Sequence, residues 1–320
     1  DKTVGKVKDT LGITDYICNV YPTLIYLSSD ITDFGDVDGD GKSENLSKVA
    51  DRIKVAEWFI DLVINSFEDK HYENIRLSGF YWYREDIVSG DAETLTGISD
   101  TVHSKGYQFF WIPYYSAYGN TDWESYGFDT ACLQPNFAFD DVTQFARIKQ
   151  AADLAKANNM SIELEISWLV PANELYLRKY FAYLKGGADY GYMTDAMHMY
   201  FQSYDIFGMA CRSDIPEYRL VYDYTYQFIK GTYEIQAINI ADAVFNIAKN
   251  KPFTGSFSDG EEGNLTFAID VSPVYGSVKC NSNGTFTYYP AADFTGTDTF
   301  TYIVSNGSEN VAGTVTLNIN

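Results

Sequence analysis

Two hydrophobic rhythms run along the chain. Up to about residue 250, segments with apolar residues at every third or fourth position alternate with short aromatic-rich segments. Leu46, Val49, Ile53, Phe59, Ile60, Val63 and Phe67 share the spacing of one helix face over 46–67. Further helices are predicted over 2–11, over 92–105 before Gly106, and over 142–159, closed by Asn158 and Asn159. Another is predicted over 171–185, stopped by Gly186 and Gly187, and a long helical stretch over 216–249. Between them "YICNVY", "NIRLSGFYWYRE", "YQFFWIPYY", "TACLQPNFAF", "SIELEIS" and "ADYGYM" have the composition of strands. From Thr254 onward the helical period is gone. "LTFAIDV", "GSVKC", "GTFTYYP", "DTFTYIVS" and "GTVTLNI" alternate apolar with polar and are punctuated by Gly, Asn and Asp. That pattern predicts a small all-β sandwich over 251–320, in which Phe286, Tyr288, Phe300 and Tyr302 form the inner face.

Strand-then-helix order over 1–250 predicts an α/β domain with a parallel sheet. The regular spacing of aromatic strands favours a TIM-type (β/α) barrel over an open sheet. Six strands are readable, near residues 18, 78, 110, 133, 164 and 190, whereas a closed barrel of this type has eight. The first predicted element is a helix with no strand before it, so the two further strands are expected upstream of Asp1.

Composition narrows the partners. An apolar content of 46 % in 320 residues supports a large core and excludes global disorder. The formal charge of −21 argues against nucleic acid and against an anionic membrane surface. No apolar run approaches the roughly 18 residues of a membrane helix, so no membrane insertion is expected. Cys18, Cys132, Cys211 and Cys280 lie far apart and form no CxxC pair, so free thiols are expected. The chain opens at Asp1 without Met, so the lack of a signal peptide does not imply a cytoplasmic protein. A broadly acidic surface fits a secreted or cell-surface protein. Aromatics reach 17 %, with 27 Tyr, and their flat faces suit sugar rings as well as cores.

Two resemblances add to this. "NGTFTYYPAADFTGTDTFTYIVSNG" resembles the cadherin-like, immunoglobulin-type repeats of large bacterial surface and secreted proteins. It implies a spacer or adhesive module without catalysis. "FGDVDGDG", "GFYWYRE", "FFWIPYY", "GFDTACLQPNFAF", "IELE" and "YLKGGADYGYM" resemble a bacterial family known only as a domain of unknown function, number 4855. This resemblance implies a TIM barrel related to glycoside hydrolases, with strand-like segments preceding the point where this chain begins. It transfers no catalytic residues.

The carboxylates are the chemistry-bearing feature. Glu163 and Glu165 occupy alternate positions of "SIELEIS", so both lie on one face of a strand, while Ile162, Leu164 and Ile166 face the helices. Glu85 ends the strand "GFYWYRE". If two strands precede the chain, these are the fourth and seventh strands, whose ends carry the acid/base and the nucleophile in one large group of retaining glycosidases; this is analogy at the level of fold. Barrel catalytic groups sit at the C-terminal ends of strands. The expected roles are therefore Glu165 as nucleophile, Glu85 as general acid/base and Glu163 as an orienting or proton-holding partner. The competing interpretation is structural, with the carboxylates salt-bridged to an Arg or Lys inside the barrel, for example Arg76 or Arg84. Trp82, Tyr83, Trp111, Tyr114, Tyr115 and Trp168 lie at strand ends as candidate stacking platforms, and Gln134 and Asn136 as hydrogen bonders to sugar hydroxyls.

"DVDGDGKSENLS" begins like a calcium-binding loop. Asp36, Asp38 and Asp40 stand at its first, third and fifth positions, Gly41 at the turn, the Lys42 carbonyl at the seventh and Glu44 at the ninth. The twelfth position is Ser47, where a bidentate acid is expected. A structural calcium ion and a solvated acidic cap on the following helix both stay open. No cofactor is expected in catalysis, and no Ser-His-Asp order, phosphate loop or HExxH occurs. The expected function is a secreted glycoside hydrolase acting on a polysaccharide or glycan. Its rival is a non-catalytic carbohydrate-binding or adhesive surface protein.

Overall fold

The computed structural model describes residues 1–88, 90–234, 238, 240, 242–257, 265–281, 284–305 and 310–320. They form two compact units, Asp1–Asn136 with Asp153–Glu163, and Phe137–Ala152 with Leu164–Asn320.

In the first unit, α1 (Lys2–Leu11) precedes β1 (Cys18–Val20) and β2 (Thr23–Leu24). Then follow α2 (Val49–Lys70), β3 (Ile75–Leu77), β4 (Gly79–Trp82), α3 (Ala92–Ser104), β5 (Gln108–Trp111) and β6 (Thr130–Leu133). The helix α4 (Ala146–Ala157) and the strand β7 (Ser161–Ile166) each have residues in both units. The short β1 pairs with β3, and β2-β4-β5-β6-β7 pair side by side, every register parallel.

The register sorts the side chains into two layers. Trp82 pairs with Trp111 and Trp111 with Ala131, and these three are buried, as are Phe80, Phe109 and Leu133 on the same side. Leu95, Ile98 and Val102 of α3 and Val55, Ala56 and Ile60 of α2 are buried with 0–3 % exposure. The other layer holds Thr23, Tyr81, Phe110 and Thr130, paired in sequence and only half-buried or exposed. A methyl group at Gly79 would come within 2.2 Å of the Gln108 carbonyl oxygen, so only glycine lets β4 run this close to the start of β5. Between the helices, Arg52 and Asp91 form a buried ion pair at 3.0 Å.

The second unit continues with α5 (Glu174–Tyr190), α6 (Tyr192–Asp195), β8 (His198–Gln202), α7 (Ile206–Cys211) and α8 (Pro216–Ile229). In sheet order β8 stands next to β7. The sheet therefore has six strands, and among the described residues it does not close into an eight-stranded barrel. What stands is a parallel α/β sheet followed by an all-β region.

Three element predictions need correction. The helix after β7 runs through Gly186 and Gly187 and ends only at Gly191, whose φ is 93°. A methyl at Gly186 would lie 2.3 Å from Ile148 and one at Gly187 2.2 Å from Phe228, so these glycines allow close packing and do not stop the helix. Consequently "ADYGYM" is helical over most of its length, and the strand forms later, at His198–Gln202. Finally, the helix expected over 216–249 ends at Ile229, and Ala243–Ile247 is a strand, β9; residues 235–237, 239 and 241 of that stretch lie outside the described residues. In β9, Ala243, Phe245 and Ile247 face inward while Val244 and Asn246 are exposed, a period of two.

The remaining strands are β10 (Phe253–Ser256), β11 (Thr266–Val271), β12 (Gly276–Cys280), β13 (Thr285–Pro290), β14 (Gly296–Ser305) and β15 (Asn310–Ile319). One sheet has the order β10-β13-β12 and the other β11-β14-β15-β9, with β9 lying parallel to β15. So β9, upstream of the expected boundary at 250, is part of the sandwich sheet. Phe286, Tyr288, Phe300 and Tyr302 have at most 1 % exposure and form the inner face, as their alternation predicts. Phe257 lies between the sheets, stacked on Tyr302 at 4.1 Å and on Phe286 at 4.7 Å. Asn283, Asn306 and Gly307, at the ends of the cadherin-like stretch, lie outside the described residues. All four cysteines are free thiols, and only Cys132 is buried. No helix of the described residues is long and apolar enough to cross a membrane.

Candidate active site

In the first unit the half-buried layer of the sheet gathers the acidic groups. Glu85, three residues beyond β4, is exposed, and its carbonyl oxygen accepts the Tyr114 N–H at 3.2 Å. Glu163 on β7 has 7 % exposure. Its side follows from register: Phe110 pairs with Thr130, Cys132 shares the side of Thr130 and pairs with Ser161, and Glu163 lies two residues further on. Tyr81 sits in the same layer, its ring stacked on Phe110 at 5.0 Å. Burial first, then the negative charges of Glu85 and Glu163, hold the Tyr81 hydroxyl well above the ordinary tyrosine range. It therefore remains a proton-bearing donor within the field of both carboxylates. Arg84 and Arg76, the two examples for the structural alternative, are engaged elsewhere. Arg84 pairs with Asp86 at 2.8 Å and lies over the Tyr26 ring, and Arg76 donates to the Asn19 side chain at 2.8 and 3.1 Å.

In the second unit, Glu165 is buried at 1 % exposure. Its Oε2 accepts the Phe137 N–H at 3.2 Å and a hydrogen bond from the Tyr183 hydroxyl of α5. Burial, the Glu165 charge and this hydrogen bond, in that order, push the Tyr183 hydroxyl far up, so it acts as donor throughout the neutral range. The carboxylate expected at an open rim is thus an enclosed one, because α5 delivers a tyrosine to it. All six residues of β7 are buried. Phe139, Trp168 and Phe201 form an exposed aromatic group: Phe139 and Trp168 lie 6.3 Å apart at 24°, and Phe201 meets Phe139 edge-on at 5.7 Å.

The expected platforms divide accordingly. Trp82 and Trp111 are core residues on the helix side; the Trp111 indole donates to the Arg84 carbonyl at 2.6 Å and its ring stacks on Phe128. Strand alternation turns them there, since Tyr81 and Phe110 take the other face. Tyr83 and Trp168 are exposed at 62 % and 51 %. Tyr114 and Tyr115 are half-buried. Gln134 donates to the Ile112 carbonyl at 3.2 Å, and the Asn136 oxygen accepts the Tyr115 N–H at 2.8 Å, so both amides tie the turns after β5 and β6 together. Asn136 adopts a φ of 50°, a left-handed conformation that asparagine tolerates. The sequence did not single out Tyr81, Phe139, Phe201 or Tyr183. Tyr81 had a signal: in a strand whose odd and even positions are both aromatic, one set must face away from the helices.

Asp36, Asp38 and Asp40 bring carboxylate oxygens within 4.8 Å of one another. Gly41 has a φ of 83°, the sharp turn its position requires. Asp36 accepts the N–H groups of Gly39, Asp40 and Gly41 at 2.7–3.1 Å. Glu44 stands apart: it is buried, accepts the Val37 N–H at 3.0 Å and pairs with Lys54 at 3.2 Å. Lys54 also reaches Asp38 at 2.7 Å, and that hydrogen bond is the main cause holding the Asp38 carboxyl below the usual range. The Lys42 ammonium lies 3.8 Å from Asp40. Three converging carboxylates fit a hard cation, which would have to displace the Lys54 ammonium from Asp38.

Residues 1–227 match the family described as Domain of unknown function (DUF4855), and residues 233–320 match the bacterial cadherin-like domain. No curated protein matches the chain. Among solved structures, the endo-beta-1,4-mannanase from Thermotoga petrophila is 15 % identical, with 99 % of this chain and 81 % of that one covered at a TM-score of 0.43. The beta-glucuronidase of Bacteroides uniformis is 10 % identical, with 91 % and 38 % covered at a TM-score of 0.35. An endo-fucoidan hydrolase from glycoside hydrolase family 107 is 8 % identical, with 83 % and 60 % covered at a TM-score of 0.29. At these identities and scores the likenesses support neither a substrate nor a mechanism.

Proposed function

The chain belongs to the family described as Domain of unknown function (DUF4855), and from its site we propose that it is a secreted glycoside hydrolase acting on a polysaccharide or glycan. The observation that carries this is geometric: register puts Glu163 of β7 on the same side of the sheet as Tyr81 of β4, and Glu85 follows β4 by three residues. Glycoside cleavage needs one carboxylic acid to protonate the leaving oxygen and a second carboxylate to attack or to activate water. Glu85, exposed at the end of a strand, suits proton exchange with solvent and serves as the general acid/base. Glu163, mostly buried on β7, with β5 and β6 between it and β4 in the same sheet, serves as its partner. Glu165, held by Tyr183 and the Phe137 N–H, is the supporting carboxylate of that strand and not its nucleophile. Secretion is supported by the cadherin-like match and the acidic surface.

Purified protein is incubated with a panel of plant, host and microbial glycans, and new reducing ends are counted. Glu85→Gln and Glu163→Gln each lower turnover by roughly 10²–10⁴-fold while remaining folded. Turnover that survives in both variants sinks the assignment. A second reading, a non-catalytic carbohydrate-binding surface protein, is favoured by the enclosure of Glu165 and the exposed Phe139, Trp168 and Phe201 rings. Glycan retention by the wild type without any new reducing ends would select it.

A further inference from the structure

The helix α5 contains a lysine where an apolar residue would be expected. Lys179 has 1 % exposure and lies one turn before Tyr183 on the same face. Its ammonium donates to the carbonyl oxygens of Phe137 at 2.9 Å and Asp140 at 2.5 Å. It also lies 4.5 Å from the centre of the Phe137 ring and 3.7 Å from the Asp140 carboxylate. The ammonium thus donates to two carbonyls and faces a carboxylate, all belonging to one short turn. That carboxylate also accepts the N–H groups of Val142 and Thr143 at 2.9 and 2.7 Å, which fixes the far end of the turn.

Other contacts of this turn reach the glutamate and the exposed rings, alongside the Phe145 ring 5.3 Å from Phe137 and the Thr143 hydroxyl that donates to Asp140 at 2.7 Å. The Phe137 N–H donates to Glu165, and the Phe137 ring packs 5.7 Å from Tyr183. Phe139, between the two clamped carbonyls, projects outward against Trp168 and Phe201. A buried ammonium is costly unless its protons are used, so a lysine here is retained only with all its partners in place. Burial does lower its pKa, against the raising effect of Asp140.

We propose that Lys179 is a positioning residue that locks the Phe137–Asp140 turn and so sets the Phe139–Trp168–Phe201 surface as a stacking platform for sugar rings. The sugar part of this statement rests on the glycan reading above, whereas the positioning itself does not. Phe139 and Trp168, near-parallel at 24°, offer the flat apolar contact that the C–H side of a pyranose ring requires, with Phe201 edge-on beside them.

The test needs no glycan and therefore fails independently of that reading. The full chain is labelled with fluorotryptophan, and the Trp168 resonance is assigned with Trp168→Phe. In Lys179→Met the turn loses its anchor, and the Trp168 fluorine signal moves by more than its linewidth while the other four tryptophan signals stay in place. Phe139→Ala moves the same signal, and Lys179→Arg restores part of the shift. A Trp168 signal unmoved in Lys179→Met overturns the proposal, as does equal movement of all five. Should Lys179→Met not fold, the wild type decides by acetic anhydride labelling and peptide mapping. Lys179 then reacts more slowly than exposed Lys42 by on the order of tenfold or more. Equal rates mean an accessible amine, and the anchor does not exist.

Discussion

Tyr183 reaches Glu165 from a different element, and removing its hydroxyl isolates that contact. In Tyr183→Phe the ring is kept, so its packing against Phe137 at 5.7 Å survives. The backbone carbonyl of Tyr183, which accepts from Tyr192, is also unaffected. What is lost is one hydrogen bond to a buried carboxylate. Such bonds contribute about 1.5–3 kcal/mol net. The loss is offset in part because the phenol no longer has to be desolvated, a relief of roughly 1 kcal/mol. With the Phe137 N–H still donating to the same oxygen, the expected cost is about 1–2 kcal/mol. Urea unfolding followed by tyrosine and tryptophan fluorescence measures it. The specific test is a double-mutant cycle with Glu165→Gln. If the two groups stabilise each other, the second substitution costs less in the presence of the first, with a coupling of about 1 kcal/mol. A Tyr183→Phe cost below about 0.5 kcal/mol, the range of ordinary surface changes, refutes the reasoning. So does additivity, which would mean that the tyrosine does not act through the carboxylate.

Two further outcomes are expected. Burial raises the hydroxyls of Tyr180, Tyr183 and Tyr192 above their ordinary value, so the unfolded chain releases these protons first. Their contribution to stability is full below pH 10, where both states hold the proton, and falls as pH rises beyond it. Ultraviolet titration should therefore show exposed tyrosines ionising first and a late, cooperative step that coincides with unfolding; smooth ionisation of all tyrosines near pH 10 would contradict the burial. If the acidic loop takes calcium, adding it at about 100 times its dissociation constant raises stability by about 2.7 kcal/mol. In a thermal melt Asp38→Asn abolishes the gain and Lys54→Met, which frees Asp38 of its ammonium, enlarges it; an unchanged melt in the wild type leaves the loop as a helix cap.

Much of this molecule is legible one residue at a time. Helix spacing located α1, α2 and α3, and the period of two in the last third located the sandwich core around Phe286, Tyr288, Phe300 and Tyr302. These are local signals, because a helix or a half-buried strand repeats its own contact with the core at short intervals. The alternation of Glu163 and Glu165 was likewise enough to put them on one side of a strand. Their unlike surroundings could not be read in the same way. Glu163 lies on the side of the sheet that also holds Tyr81, and Glu165 is enclosed by Tyr183 and Phe137, partners 18 and 28 residues away. Likewise Gly186 and Gly187 have the letters of a helix stop, yet they lie inside a helix because Ile148 and Phe228 press against it. Local chemistry decided which residues could form a strand, a turn or a carboxylate pair. Which groups surround each of those two buried carboxylates depends on side chains brought in from other elements, and only the packed tertiary structure supplies them.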